Sequence, residues 1–139
     1  MTTLAEAAAV VRRAGTVALA CHHHPDGDAL GSMLAMHLLC EANGQASVAS
    51  WPEPFVVGPH YEFLPGLDRC TPPDEFPDDP EVMVTFDLGT PDRLGELAAT
   101  LDRAGAVLVL DHHPDNECFG THNLVRTDVA ATAVVVRML

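Results

Sequence analysis

The stretch that decides the fold is TVALAC-HHHPDGD-ALGSMLAMHLLCEA, Thr16 to Ala42. Thr16–Cys21 is a short apolar run with β-branched residues, the pattern of a strand buried on both faces. His22-His23-His24-Pro25-Asp26-Gly27-Asp28 is a polar loop. From Ala29 to Ala42 the residues Leu30, Met33, Leu34, His37, Leu38 and Glu41 recur at helical spacing. Asn43-Gly44 ends that helix. A buried strand, a polar loop and a helix in succession are the unit of a parallel sheet.

The same alternation extends in both directions. Upstream, Leu4–Ala14 reads as a helix with apolar Leu4, Ala7, Ala8 and Val11; Thr3 caps it and Glu6 completes a capping box. Downstream, Ala46–Trp51 is a second strand. Pro52 to Pro80 holds eight of the eleven prolines and is irregular, with a short element near Tyr61–Leu64. Val82–Asp87 and Ala106–Leu110 are two further buried strands. Pro91–Ala104 reads as a helix with Leu94, Leu97, Ala98 and Leu101 on one face, and Val129–Leu139 as a last helix. The expected fold is α/β: one domain, residues 1–139, with a parallel sheet and helices on both faces.

Composition narrows the function classes. The chain has 139 residues, enough for one core, with 47% hydrophobic and 19% charged residues. No apolar run reaches the roughly 18 residues of a membrane span, and the N-terminus lacks a signal-peptide pattern. No membrane partner and a cytoplasmic location are the expectations. Cys21, Cys40, Cys70 and Cys118 form no CxxC pair, which argues for reduced thiols and against a structural zinc site. The net charge is −13, with 20 acids against 7 bases, all arginine. Such a surface repels phosphate polymers, so long duplex nucleic acid is not an expected partner. Bound divalent cations would reverse the field locally for a small anionic substrate.

Three strands end in acids or histidines: the first in His22, Asp26 and Asp28, the Val82 strand in Asp87, the Ala106 strand in Asp111, His112 and His113. Singly, each cluster has a bland reading, such as a surface histidine run or a turn cap. Together they converge, because open parallel sheets bind ligands beyond the carboxyl ends of their strands. The metal site is therefore expected at that edge. Imidazole and carboxylate without thiolate suit Mn, Mg, Fe or Zn, and several carboxylates favour a pair of ions.

With these motifs assembled, the chain resembles the N-terminal catalytic domain of the DHH phosphoesterases. His22-x-x-Pro25-Asp26-Gly27-Asp28-Ala29-x-Gly31-Ser32 is similar to the family's first motif, Asp87 with Leu88–Gly95 to the second, and Asp111-His112-His113-Pro114 to the third. The first motif and leader helix look closest to the branch of oligoribonucleases that also dephosphorylate 3′-phosphoadenosine 5′-phosphate. The resemblance implies two divalent ions, Mn2+ by the family's habit. His22 and Asp26 would hold one, Asp28 and His112 the other, and Asp87 would bridge them. Asp111 would orient the histidines, and His113 would contact the substrate phosphate or leaving group. The implied reaction is in-line hydrolysis of short oligonucleotides or nucleotide phosphates; the alternatives are an inactive metal-binding module, a pyrophosphatase or polyphosphatase, and a cyclic-dinucleotide phosphodiesterase. A homodimer is compatible with this reading.

Two departures accompany the resemblance. Arg126 stands where the family's fourth motif offers an Asp ligand, and Asp128, two residues on, is the candidate substitute for the second ion. The family's usual C-terminal substrate-binding domain is not among these residues, whose last expected helix reaches Leu139; the expectation is either a fragment of the full enzyme or a protein without half of its substrate cleft. The expectation is weak or no turnover by this chain alone, even with metal bound.

Overall fold

The computed structural model describes residues Met1–Leu139. Five strands form one parallel sheet: β1 (Thr16–Cys21), β2 (Ala46–Ser50), β3 (Val82–Phe86), β4 (Ala106–Asp111) and β5 (His122–Val125), in the order β2-β1-β3-β4-β5. Three α-helices accompany it: α1 (Leu4–Arg13), α2 (Gly27–Ala42) and α3 (Thr132–Met138). No helix is long and apolar enough to cross a membrane. None of the four cysteines is bonded to another.

Strand alternation divides the core. Val17, Leu19 and Cys21 of β1 and Val82, Val84 and Phe86 of β3 point to one face, where they pack with Ala7 and Val11 of α1, Leu30 and Met33 of α2, and Val135 of α3. Ala18, Ala20 and Met83 point to the other face, covered by Phe76, Leu88, Leu94 and Leu97. That second layer contains no α-helix. The helix expected over Pro91–Ala104 is instead a run of 3₁₀ turns, Pro91–Thr100, interrupted at Gly95 with φ 50° and ψ −131°. Its buried residues Leu94, Leu97 and Thr100 recur every third position, which is the period of a 3₁₀ rather than an α-helix.

The capping box of α1 forms as the sequence implies: Glu6 N–H donates to Thr3 Oγ1, and Thr3 N–H donates to Glu6 Oε2 at 2.8 Å. The long irregular stretch carries three 3₁₀ turns, Pro59–Tyr61, Leu67–Arg69 and Pro73–Glu75. Strand β5 was not expected. It is four residues long with one buried side chain, Leu124, too little for an alternation to show. Its outer edge is covered by the N-terminal segment, where Thr2 N–H donates to the Asn123 carbonyl at 2.8 Å and Asn123 N–H to Thr2 Oγ1. The last helix is shorter than expected, because a turn and bend over residues 127–130 and the extended Ala131 precede α3.

The strand order places the crevice. From β1 the chain moves outward to β2, then returns to β3 on the other side of β1. The segment after β1 becomes α2 on one face, and the segment after β3 becomes the 3₁₀ run on the opposite face. The two diverge at the carboxyl ends of β1 and β3, the switch point where α/β sheets bind ligands.

Candidate metal centre

Register brings the motif residues together. Cys21 pairs with Phe86, and Phe86 with Leu110, so His22, Asp87 and Asp111 stand side by side at the sheet edge. Asp87 leaves β3 in the left-handed region, at φ 62°. That conformation is uncommon for a residue with a side chain, although Asp tolerates it better than most. It turns a buried carboxylate (3% exposed) across the top of the sheet.

His22 is buried beside it. Its Nδ1 lies 2.8 Å from the His23 carbonyl oxygen, which fixes the proton on that nitrogen and leaves the Nε2 lone pair free. Nε2 stands 3.9 Å from Asp26 Oδ1 and 3.8 Å from Asp87 Oδ2. Asp26 is the N-cap of α2, accepting the Ala29 N–H at 3.0 Å. The helix therefore begins at Gly27, inside the loop expected from sequence. A Cβ on Gly27 would lie 3.2 Å from the Tyr61 ring, so this position keeps the capping turn closed beneath Tyr61. Gly31 has no such role: a Cβ there meets nothing within 4 Å.

The other Asp87 oxygen faces the third motif. His112 Nε2 lies 3.7 Å from Asp87 Oδ1 and 3.8 Å from Asp28 Oδ2. Asp87, His112 and His113 also offer atoms within 4.8 Å of one another. Yet His113 Nδ1 is only 2.7 Å from Asp111 Oδ1, so its proton is committed and its lone pair is not available there. Asp28 is the better third donor.

These separations suit shared ions. They are too long for hydrogen bonds. Metal bonds of about 2.0–2.2 Å set neighbouring ligand atoms roughly 3–4.3 Å apart. The charge balance agrees: no arginine pairs with Asp26, Asp28, Asp87 or Asp111, whereas the arginine ion pairs go to Glu41, Asp78 and Asp128. A carboxylate cluster without cationic side chains is a donor set that fits divalent ions.

Asp111 is fully buried and its oxygens are divided between neighbours. Oδ1 holds His113, while Oδ2 accepts from the Asn116 amide at 2.6 Å. Asn116 also donates to the Leu88 carbonyl at 3.1 Å and thus ties the third motif to the second. Burial pulls the His113 pKa down, but the hydrogen bond to Asp111 and the charges of Asp111, Asp87 and Asp115 raise it on balance. For Asp87, burial pushes the pKa up, and the His22 ring, the Thr132 hydroxyl and the nearby His113 together hold it below the ordinary value.

Two further residues contribute to the centre. Thr132 Oγ1 donates to Asp87 Oδ1 at 2.7 Å, and the N–H groups of Thr132 and Ala133 donate to Asp28 at 2.9 and 2.8 Å. Neither Thr132 nor Asn116 is among the site residues expected from sequence. Asp128 stands outside the cluster: it is exposed and binds the Arg126 guanidinium through two bonds of 2.8 Å, which lower its pKa to about 2. His23 and His24 are exposed, with rings edge to face at 5.3 Å. His37 is buried and bonded to Ser47 Oγ at 2.8 Å, as a packed helix histidine would be. A cavity of about 630 Å³ lies between α1 and α2 near Gly15 and Gln45, at the amino ends of the strands and away from this cluster.

The sequence model of the DHH family, N-terminal domain, matches residues 16–139. The bifunctional oligoribonuclease and PAP phosphatase NrnA of Thermus thermophilus is 32% identical over 128 residues, covering 90% of this chain. The chain spans 36% of that protein's length. A solved structure of an exopolyphosphatase-related protein from Bacteroides fragilis superposes with a TM-score of 0.87 over 97% of this chain and 42% of that one. At 19% identity that is a likeness of fold.

Proposed function

The chain belongs to the DHH family, and from that premise we propose that it is the metal-binding half of a phosphoesterase acting on short oligonucleotides or nucleotide phosphates. The observation that carries this reading is Asp87, a buried carboxylate whose two oxygens face two different histidines at 3.8 and 3.7 Å. His22, Asp26 and Asp87 would hold one divalent ion; Asp28, His112 and Asp87 would hold the other. Manganese is the proposed ion. Such ions supply positive charge to phosphoryl oxygens and acidify water near neutral pH.

The chain's own residues do the rest. The His23 carbonyl keeps His22 in one tautomer, and Asp26 is held by the first turn of α2. Asp111 holds the proton on His113 Nδ1, leaving Nε2 free of protein hydrogen bonds. Protonated His113 would pair with a substrate phosphate oxygen or hand a proton to the leaving oxygen. The negative surface elsewhere leaves this crevice as the place for a small anion, provided cations fill it.

A second reading has one observation in its favour. Arg126 and Asp128 are bonded to each other at the end of β5, so no Asp from that turn completes the second ion's shell. A metal-binding module without turnover is the reading this supports. Calorimetric titration with Mn2+ and an assay on a dinucleotide and on 3′-phosphoadenosine 5′-phosphate separate the two. Two ions bound together with release of product supports the enzyme. Binding without release from any substrate, while Asp87 is intact, favours the module.

A further inference from the structure

We infer that Thr132 is a positioning residue of the metal centre, aiming the carboxylates of Asp87 and Asp28 at once. The inference rests on the two-ion reading of the crevice. Thr132 is fully buried. Its hydroxyl has one proton to give and two carboxylates within range, Asp87 Oδ1 at 2.7 Å and Asp111 Oδ1 at 3.5 Å. The shorter contact takes it. Its backbone N–H goes the other way, to Asp28 Oδ2 at 2.9 Å. Those two oxygens, Asp87 Oδ1 and Asp28 Oδ2, are the ones that face His112 Nε2. One residue thus sets both carboxylate donors of the second ion. Each oxygen keeps a lone pair after accepting its hydrogen bond, so both still ligate.

Helix capping explains only half of this arrangement. The N-cap of α3 is Ala131, which has no side chain to cap with, and Asp28 captures the first free N–H groups in its place, from Thr132 and Ala133. Capping needs those N–H groups and Asp28. It does not need the hydroxyl, which points at Asp87 on another element. The hydroxyl is therefore separable from the helix, and it acts where Arg126 and Asp128 have withdrawn into their own ion pair.

The test is Mn2+ binding by isothermal titration calorimetry on the wild type, Thr132→Ser, Thr132→Ala, Thr132→Val and Asp87→Asn, with metal-free thermal unfolding and the electron paramagnetic resonance of bound Mn2+ as companion readouts. Orientation of metal ligands by neighbouring hydrogen bonds is typically worth about 10–100-fold in affinity. Thr132→Ala and Thr132→Val should lose that much for the second ion and the spin-coupled signal of an ion pair. Thr132→Ser should bind within about threefold of the wild type, since it keeps the donor. Val and Ala differ in volume, so whichever variant is folded reads the hydroxyl. Equal binding by the Ser and Ala variants overturns the inference. If the wild type binds and Asp87→Asn releases metal while Thr132→Ala binds as the wild type does, only the role of Thr132 falls. If the wild type binds no Mn2+, the two-ion reading falls with it.

Discussion

Asp111 and His113 show how much of the centre is set by single side chains. A buried carboxylate is costly unless it is hydrogen-bonded, and here His113 and Asn116 each hold one of its oxygens. The His113 pKa lies above its ordinary 6.5 in this metal-free arrangement. A raised folded-state pKa stabilises fully below the unfolded value, and the contribution is lost as pH rises through the folded one. With chelator present, the stability difference between wild type and His113→Gln should thus be larger near about pH 5.5 than near about pH 8.5, read from urea midpoints. A difference that grows with pH would contradict the pairing. Asp87 has the opposite sign: its pKa is depressed below 3.8, so its share is present above that value and vanishes on further acidification. Arg126 is predicted to be dispensable for the ions. Arg126→Ala should leave the unfolding midpoint unchanged and Mn2+ affinity within about twofold, because an exposed ion pair contributes little. A large gain in affinity would instead mean that Arg126 had been holding Asp128 away from the second ion.

At the scale of elements, the strands were legible and the layer behind them was not. Thr16–Cys21, Val82–Phe86 and Ala106–Leu110 are apolar on both faces, and only a sheet covered on both sides explains such runs. The Pro91–Thr100 segment misled because Leu94, Leu97, Ala98 and Leu101 satisfy helical spacing, while the residues actually buried, Leu94, Leu97 and Thr100, follow a period of three that shares its first two members. What decides between them is Gly95, whose φ of 50° no continuous helix allows. A Cβ there would also lie 3.0 Å from Pro52 Cβ. Gly95→Ala should destabilise the protein by about 1–3 kcal/mol in urea unfolding, the usual penalty for a side chain forced into a sparsely populated backbone region. No loss would mean that the segment can re-form as the α-helix its spacing suggests. Asn116 and Thr132 stayed hidden for a different reason. A residue that orients a ligand needs only one donor in one place, and that imposes no spacing on the sequence.

For the whole molecule, strand order turns three distant motifs into one crevice. The alternation of strands and helices located the functional edge, but not the order β2-β1-β3-β4-β5 that places His22 beside Asp87. That order, the net charge of −13 and the absence of arginine from the carboxylate cluster all support the proposed function, in which divalent ions fill one edge of a negative molecule before a small anion enters. Mn2+ should accordingly raise the melting temperature of the wild type in proportion to its binding, since ligands that select the folded state stabilise it. The central claim is that Asp87 bridges two ions. The most direct measurement is the stoichiometry of Mn2+ binding to the wild type and to Asp87→Asn, a substitution that keeps the shape and tolerates the left-handed backbone at φ 62°. The account predicts two ions for the wild type and a loss of about 100-fold or more in affinity for both in the variant. Asp87→Asn that loses one ion and keeps the other at wild-type affinity would contradict the bridge.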